Sequence, residues 1–281
     1  MTLEEKIKSK FNSSRKGNLL LERNLFKEEL QNFVLNFVYN SKYKNLIFTG
    51  GTCLRKCYGL NRLSEDLNFD YIENFNINEF SNSIKDYFKK SLGYKNITTK
   101  IANNNRTLFL KFPILKDLNL KVEKGMPEDL FLRCDFLKDN VGNYNTEINL
   151  IKAGDFEFFV LSYNLETLFA NKISAFLQRV FYKRKFQKIP FKGRDVYDLF
   201  WFFQLSQKTG FNLKPNKKRL LTLTKEKDIK TVKNDLKTKL NTIDEKFVYE
   251  DLSPLLESSE ILIAFKNNFK KELISKLNFI L

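Results

Sequence analysis

Two hydrophobic periods divide the chain. Near the N-terminus Phe26, Leu30, Phe33, Val34 and Phe37 recur at three- and four-residue steps, which places them on one helical face and predicts a helix over Leu19–Tyr39. Short apolar runs then predict strands at Leu46–Thr49, Leu67–Ile72, Ile97–Ala102, Thr107–Phe112, Asn119–Glu123 and Phe131–Leu137. Helices are predicted between them at Thr52–Tyr58 and Ile77–Ser91. From about Asn164 the helical period returns, in the segments Leu165–Phe181, Val196–Leu205, Lys225–Leu240 and Glu257–Leu277. The boundary falls around Ala153–Asp155, where a Gly-Asp turn and one more short strand precede the helices. The expected class is α+β, with a mixed α/β part over residues 1–155, including the N-terminal helix, and a helical part over residues 156–281.

Candidate chemistry lies in GGTCLRKCYGLNRLSEDLNFD, Gly50 to Asp70. A double glycine after a strand lets the backbone turn tightly and approach a phosphate that a Cβ would block. Thr52 then opens a helix whose free N–H groups and positive dipole end suit an anion, and its hydroxyl suits a cap or a phosphate. Along the next strand Asp66, Asn68 and Asp70 are two residues apart and share one face, at roughly 7 Å intervals. Two or three such oxygens can hold divalent cations that clamp a triphosphate and activate an attacking hydroxyl. Arg55, one turn into the helix, and Arg62, in the loop, are candidates for the phosphates. Taken singly, each piece also fits an ordinary strand-to-helix turn or an exposed strand face, and only their conjunction points to a nucleotide.

Composition narrows the chemistry further. The 281 residues are 42% apolar, enough for real cores, and no run approaches the ~18 apolar residues of a membrane helix. The polar N-terminus has no apolar signal region and three cysteines make no disulfide framework, so a cytoplasmic protein is expected. Cys53 and Cys57, four apart on one helix, read as packing residues. Histidine is absent, which excludes Ser-His and Cys-His nucleophile pairs, HExxH zinc sites and imidazole bases. Catalysis must therefore run on carboxylates, lysine, arginine and metal. The formal charge is +16, and Phe181 to Leu240 alone carry 17 Lys or Arg against five Asp or Glu. That density fits a polyanion-binding surface with salt-dependent affinity, and it equally fits a solvated lysine-rich face. The aromatics Tyr197, Phe200, Trp201, Phe202 and Phe203 read as helix core before base-stacking groups.

With these residues in view, the segment GGTCLRKCYGLNRLSEDLNF resembles the signature of the AbiEii/AbiGii toxin nucleotidyltransferases, a family whose relatives include the MenT toxins. Two further segments match in order: LETLFANKISAFLQR, with Lys172, and KGRDVYDLFWF, with Arg194, Asp195 and Asp198; LFLRCDFL supplies Asp135. The resemblance spans about Gly50 to Phe202 and implies a polymerase-β-like core, a mixed sheet flanked by helices, followed by a helical C-terminal domain. It implies transfer of a nucleoside monophosphate from an NTP to RNA, most naturally a tRNA 3′ end, with magnesium or manganese, and a separately encoded antitoxin. On this footing Gly50, Gly51, Thr52 and Arg55 would hold the triphosphate, and Asp66, Asn68 and Asp135 the metal. Lys172 would offer a mobile charge, Asp195 would hold the lysine or the nucleotide, and Asp198 would act on the nucleotide side.

One position departs from the family pattern. Where SEDLDF is expected the chain reads SEDLNF, so Asn68 stands in place of the second metal acid. An amide oxygen still ligates magnesium, but a full negative charge is lost, and Asp70 on the same face is a partial substitute. The alternative reading is thus a catalytically degenerate module that binds nucleotide, RNA or a partner protein. A small-molecule nucleotidyltransferase is a third, for which the basic half gives no reason.

Overall fold

The computed structural model describes residues 3–5, 19–117, 127–179, 181–183, 187–189, 191–208 and 213–281. Two compact units divide the chain: Met1–Cys57, Leu63–Asp139 and Ile148–Ser162 form the first, and Tyr58–Arg62, Asn140–Glu147 and Tyr163–Leu281 the second.

The first unit opens with α1 (Leu19–Tyr39), then β1 (Ile47–Thr49), α2 (Gly50–Tyr58), β2 (Asp66–Tyr71) and α3 (Ile77–Asp86). A π-helical turn at Tyr87–Ser91 extends α3, and β3 (Thr98–Ala102), β4 (Thr107–Phe112), α4 (Ile114–Asp117), β5 (Leu130–Lys138), β6 (Thr146–Ala153) and β7 (Phe156–Tyr163) follow. The strands make one mixed sheet in the order β3-β4-β5-β2-β1-β7-β6. At its centre β2 runs parallel to β5 and antiparallel to β1, while β1 runs parallel to β7.

Period-two alternation sorts the central strands into a packed face and a polar one. Leu67 and Phe69 of β2 and Cys134 and Phe136 of β5 are buried, so Asp66, Asn68, Arg133 and Asp135 project to the other side. The buried rings stack across the strands, Phe48 on Phe69 at 5.6 Å and Phe69 on Phe136 at 5.5 Å. Phe80 of α3 meets Phe136 edge-on at 5.0 Å, and Leu30, Val34 and Val38 of α1 are fully buried. One face of the sheet is thereby fixed as core, leaving the other for polar groups.

The second unit contains α5 (Leu165–Gln178), a hairpin of β8 (Phe181–Lys183) and β9 (Gln187–Ile189), α6 (Gly193–Lys208), α7 (Lys217–Thr224), α8 (Ile229–Asn241), α9 (Glu245–Leu252) and α10 (Ser259–Ile280). Asn164, Asn216, Asp228, Asp244 and Ser258 each cap a helix by accepting a hydrogen bond from a first-turn N–H. Of the aromatics of α6, Tyr197, Phe202 and Phe203 are core and Phe200 and Trp201 are half-buried; Phe202 stacks on Phe169 of α5 at 4.4 Å, and Tyr197 and Phe200 lie against Phe265 of α10.

Several elements differ from the sequence expectation. Helix α2 begins at Gly50, two residues early, and α5 stops at Gln178 because Arg179 is extended. A hairpin follows where helix was expected. The expected helix Lys225–Leu240 is interrupted at its start, since Lys225 adopts the left-handed conformation that ends α7 and Asp228 caps α8. Strand β6 was not anticipated, because it leaves Ile148 and Leu150 exposed and buries Ile151, which blurs its alternation. The expected strand Asn119–Glu123 lies outside the described residues.

Candidate active site

In the first unit, pairing register builds a row of side chains across the polar face. Thr49 is the partner of Asn68, Asn68 of Asp135, and Asp135 of Thr107, so these four stand side by side on β1, β2, β5 and β4. One step along, Asp66 is the partner of Arg133. The sequence-predicted Asp66, Asn68 and Asp135 are thus gathered on neighbouring parallel strands although nearly 70 residues separate them in the chain.

Asp135 is held by a directed hydrogen-bond chain. Asn103 Nδ2 donates to Thr107 Oγ1 at 2.9 Å, which commits the single hydroxyl proton of Thr107 to Asp135 Oδ1 at 2.6 Å. Arg133 Nε lies 3.0 Å from Oδ1 and 2.8 Å from Oδ2 of the same carboxylate. Thr107, Asn103 and Arg133 were not singled out from the sequence. Arg133 carried a usable signal, being two residues before Asp135 on a strand, whereas Thr107 is brought in only by the β4–β5 register.

The glycine turn sits directly over this row. Gly50 has φ +83°, in the region that favours glycine, and a Cβ there would stand 2.7 Å from Asn68 Nδ2. Thr52 is fully buried and its hydroxyl donates to the backbone carbonyl of Asp66, tying the start of α2 to the start of β2. Arg55 is engaged by Glu28 of α1, with Nη2 3.0 Å from Oε2, and Lys56 Nζ lies 3.3 Å from Glu28 Oε1. Burial raises the Glu28 carboxyl, but the hydrogen bond and charge of Arg55 together with the charge of Lys56 outweigh it and hold the group below its ordinary range.

The donor set is hard oxygen throughout: two carboxylates and one amide. Among the described residues no three His, Cys, Asp or Glu side chains gather as a metal cluster. Such a set suits a magnesium ion that completes its shell with water and substrate phosphate, which is how that ion is usually held.

In the second unit a different cluster forms around Asp198, which is fully buried. Arg62 grips it as a fork, with Nε 2.6 Å from Oδ1 and Nη2 2.7 Å from Oδ2, and Lys172 Nζ lies 2.5 Å from Oδ2. Burial opposes ionisation, but the two cations prevail and keep the carboxyl below its ordinary range. It is therefore Asp198 that holds Lys172, while Asp195 accepts from Arg179 Nη1 at 2.7 and 2.8 Å. Arg194 gives its backbone N–H to Asp251 at 3.0 Å. Arg219, also missed from the sequence, is buried, donating to Asn171 Oδ1 at 2.6 Å and to the Gly142 carbonyl at 2.8 Å.

Comparison with known proteins decides the family. The sequence profile described as nucleotidyl transferase AbiEii toxin, type IV toxin–antitoxin system, matches residues 35–258. This chain belongs to the AbiEii toxin family. Among solved structures, MenT4, a nucleotidyltransferase toxin from Mycobacterium tuberculosis, superposes with a TM-score of 0.62 over 97% of this chain and 88% of its own, at 13% identity. JHP933 from Helicobacter pylori matches over 92% of this chain and 94% of its own, with a TM-score of 0.48 and 17% identity. No curated protein matches the sequence. The AbiEii chain thus has the fold of a nucleotidyltransferase toxin, a mixed seven-stranded sheet flanked by helices with a helical C-terminal part. Among its described residues no helix is long and apolar enough to cross a membrane.

Proposed function

We propose that this AbiEii chain transfers a nucleoside monophosphate from an NTP to an RNA acceptor, tRNA being the first candidate. The observation that carries the reading is the register that sets Asn68 beside Asp135, with Asp66 on the same face and Gly50 against Asn68. Asp66, Asp135 and the Asn68 amide oxygen would hold magnesium or manganese, which when bound supplies charge neutralisation for the triphosphate. In the transfer step the acceptor hydroxyl oxygen bonds to the α-phosphorus, the α–β P–O bond breaks, and pyrophosphate departs. Asp135, fixed by Thr107, takes the hydroxyl proton. Gly50 lacks a Cβ and so admits the Asn68 side chain, and Gly51 is assigned the approach to phosphate. Thr52 and Arg55 act through the scaffold, the first on the Asp66 carbonyl and the second on Glu28. Within the second unit Lys172 is assigned an anion contact, positioned by Asp198, and Asp195 positions Arg179. The basic run from Phe181 to Leu240 supports an RNA partner. A separately encoded antitoxin follows from the toxin–antitoxin family.

The experiment is incubation of the pure protein with magnesium, each labelled NTP in turn and total tRNA, alongside Asp66→Ala. Label on RNA that disappears in the variant supports the enzyme; no label with any NTP, and none with manganese, refutes it. A second reading, a binding module without chemistry, is favoured by Asn68 and by the Arg133 guanidinium on Asp135. Asn68→Asp separates them, because a large gain from near-zero activity marks degeneration and little change marks a working native site.

A further inference from the structure

Arg133 sets a cation beside the candidate ligands Asp66, Asn68 and Asp135, which by themselves are two acids and an amide. It shares a face with Asp135, contacts both oxygens of that carboxylate, and by register stands beside Asp66. It is half exposed, whereas the carboxylate that it contacts is mostly buried. Two carboxylates, one amide and one guanidinium leave the group with a single net negative charge. Two divalent cations a few ångströms apart repel strongly, and the anionic ligands around them are what make the pair tolerable.

We propose that this site gathers one divalent cation, not two, and that the Arg133 guanidinium takes the charge-neutralising share of the second. Asn68 and Arg133 are then a matched pair: the amide removes one negative charge from the row and the guanidinium adds a positive charge to it. An Arg fits this task because its charge is permanent, and its Nε reaches both oxygens of Asp135. Arg133 is a positioning residue in this scheme, acting on Asp135 and on the local field.

The proposal rests on the metal-dependent reading above, and a count of bound ions tests the two separately. Full-length protein without nucleotide is titrated with Mn2+ and free ion is read by electron paramagnetic resonance, with Asp66→Ala as the reference for ions held elsewhere. The wild type is expected to hold one ion that Asp66→Ala loses. Arg133→Gln should bind it about tenfold more tightly, as expected when a neighbouring like charge is removed, while Arg133→Lys should stay close to wild type. Asn68→Asp combined with Arg133→Gln should hold two. Two site-specific ions in the wild type would overturn the proposal and leave the metal reading standing. No site-specific ion in the wild type would overturn both. If Arg133→Lys tightened binding as much as Arg133→Gln, charge would not be the cause and the proposal would fall. Circular dichroism of each variant confirms that the count is taken on folded protein.

Discussion

Gly50 and Asn68 are in direct contact: a Cβ at Gly50 would stand 2.7 Å from Asn68 Nδ2, 3.1 Å from Cγ and 3.2 Å from Cβ of that residue. The glycine that opens α2 and the Asn68 position of the acidic strand are therefore one packed feature. Gly50 also has φ +83°, a conformation that costs an L-residue roughly 1–2 kcal/mol. Gly50→Ala should accordingly lower the unfolding free energy by at least about that much and displace Asn68. Nucleotide transfer should fall by at least about tenfold, since sub-ångström placement of a ligand governs such rates. Urea denaturation and the label-transfer assay check the two effects, and an alanine variant with unchanged activity would show that the contact is not used.

Thr107 tests whether Asp135 must be oriented. Thr107→Val keeps the shape and removes the hydroxyl, leaving the Asn103 amide and the Asp135 oxygen each without that partner. The loss of stability should be about 1–3 kcal/mol, the usual cost of an unmade buried hydrogen bond. Thr107→Ser should restore most of both stability and activity. If valine lowered stability but not kcat, the hydroxyl would serve the fold alone.

Asp198 governs the acid side of the stability profile. Its folded carboxyl lies below its ordinary range, so its stabilisation is complete above the unfolded value, near pH 4, and is lost as pH falls through the folded value. Glu28 shifts in the same direction and adds to the same acid loss. The unfolding midpoint from these groups should be flat from about pH 5 upward and drop below about pH 4. Asp198→Asn leaves Arg62 and Lys172 facing no charge and should cost about 3–5 kcal/mol, the usual result of removing one partner of a buried pair. Its acid drop should be shallower than that of the wild type.

The chemistry-bearing strand was legible because period two needs only local sequence: Leu67 and Phe69 go in, and Asp66 and Asn68 go out. The N-terminal helix was legible for the same reason at period 3.6, and the family resemblance is matched by the profile over residues 35–258. What local pattern could not supply was pairing. The Asn103–Thr107–Asp135 chain depends on which strand lies beside β5, and the Arg62–Asp198–Lys172 cluster joins three separate segments of the second unit. Strand β6 escaped because its exposed Ile148 and Leu150 invert the expected sense of burial. Arg55, read as a phosphate ligand, has Glu28 as its partner, and nothing in the spacing of α2 announces an acid on α1.

Gly193 opens α6 within the KGRDVYDL segment, and its role is contact, not conformation. A Cβ there would lie 2.7 Å from the Val248 carbonyl oxygen and 2.9 Å from Val248 Cα, both backbone atoms that cannot rotate away. The close approach lets Asp251 of α9 accept the Arg194 N–H, an otherwise unsatisfied donor at the start of α6. Gly59 is the opposite case, with φ +79° and nothing within 4 Å of the added Cβ. Asparagine is the side chain best suited to the left-handed conformation, so Gly59→Asn should cost no more than about 1 kcal/mol. Gly193→Asn should instead cost about 1–3 kcal/mol, as overpacking does, because it forces α6 and α9 apart. Denaturation of the two variants side by side checks this, and equal losses would mean that the α6–α9 contact is looser than these distances require.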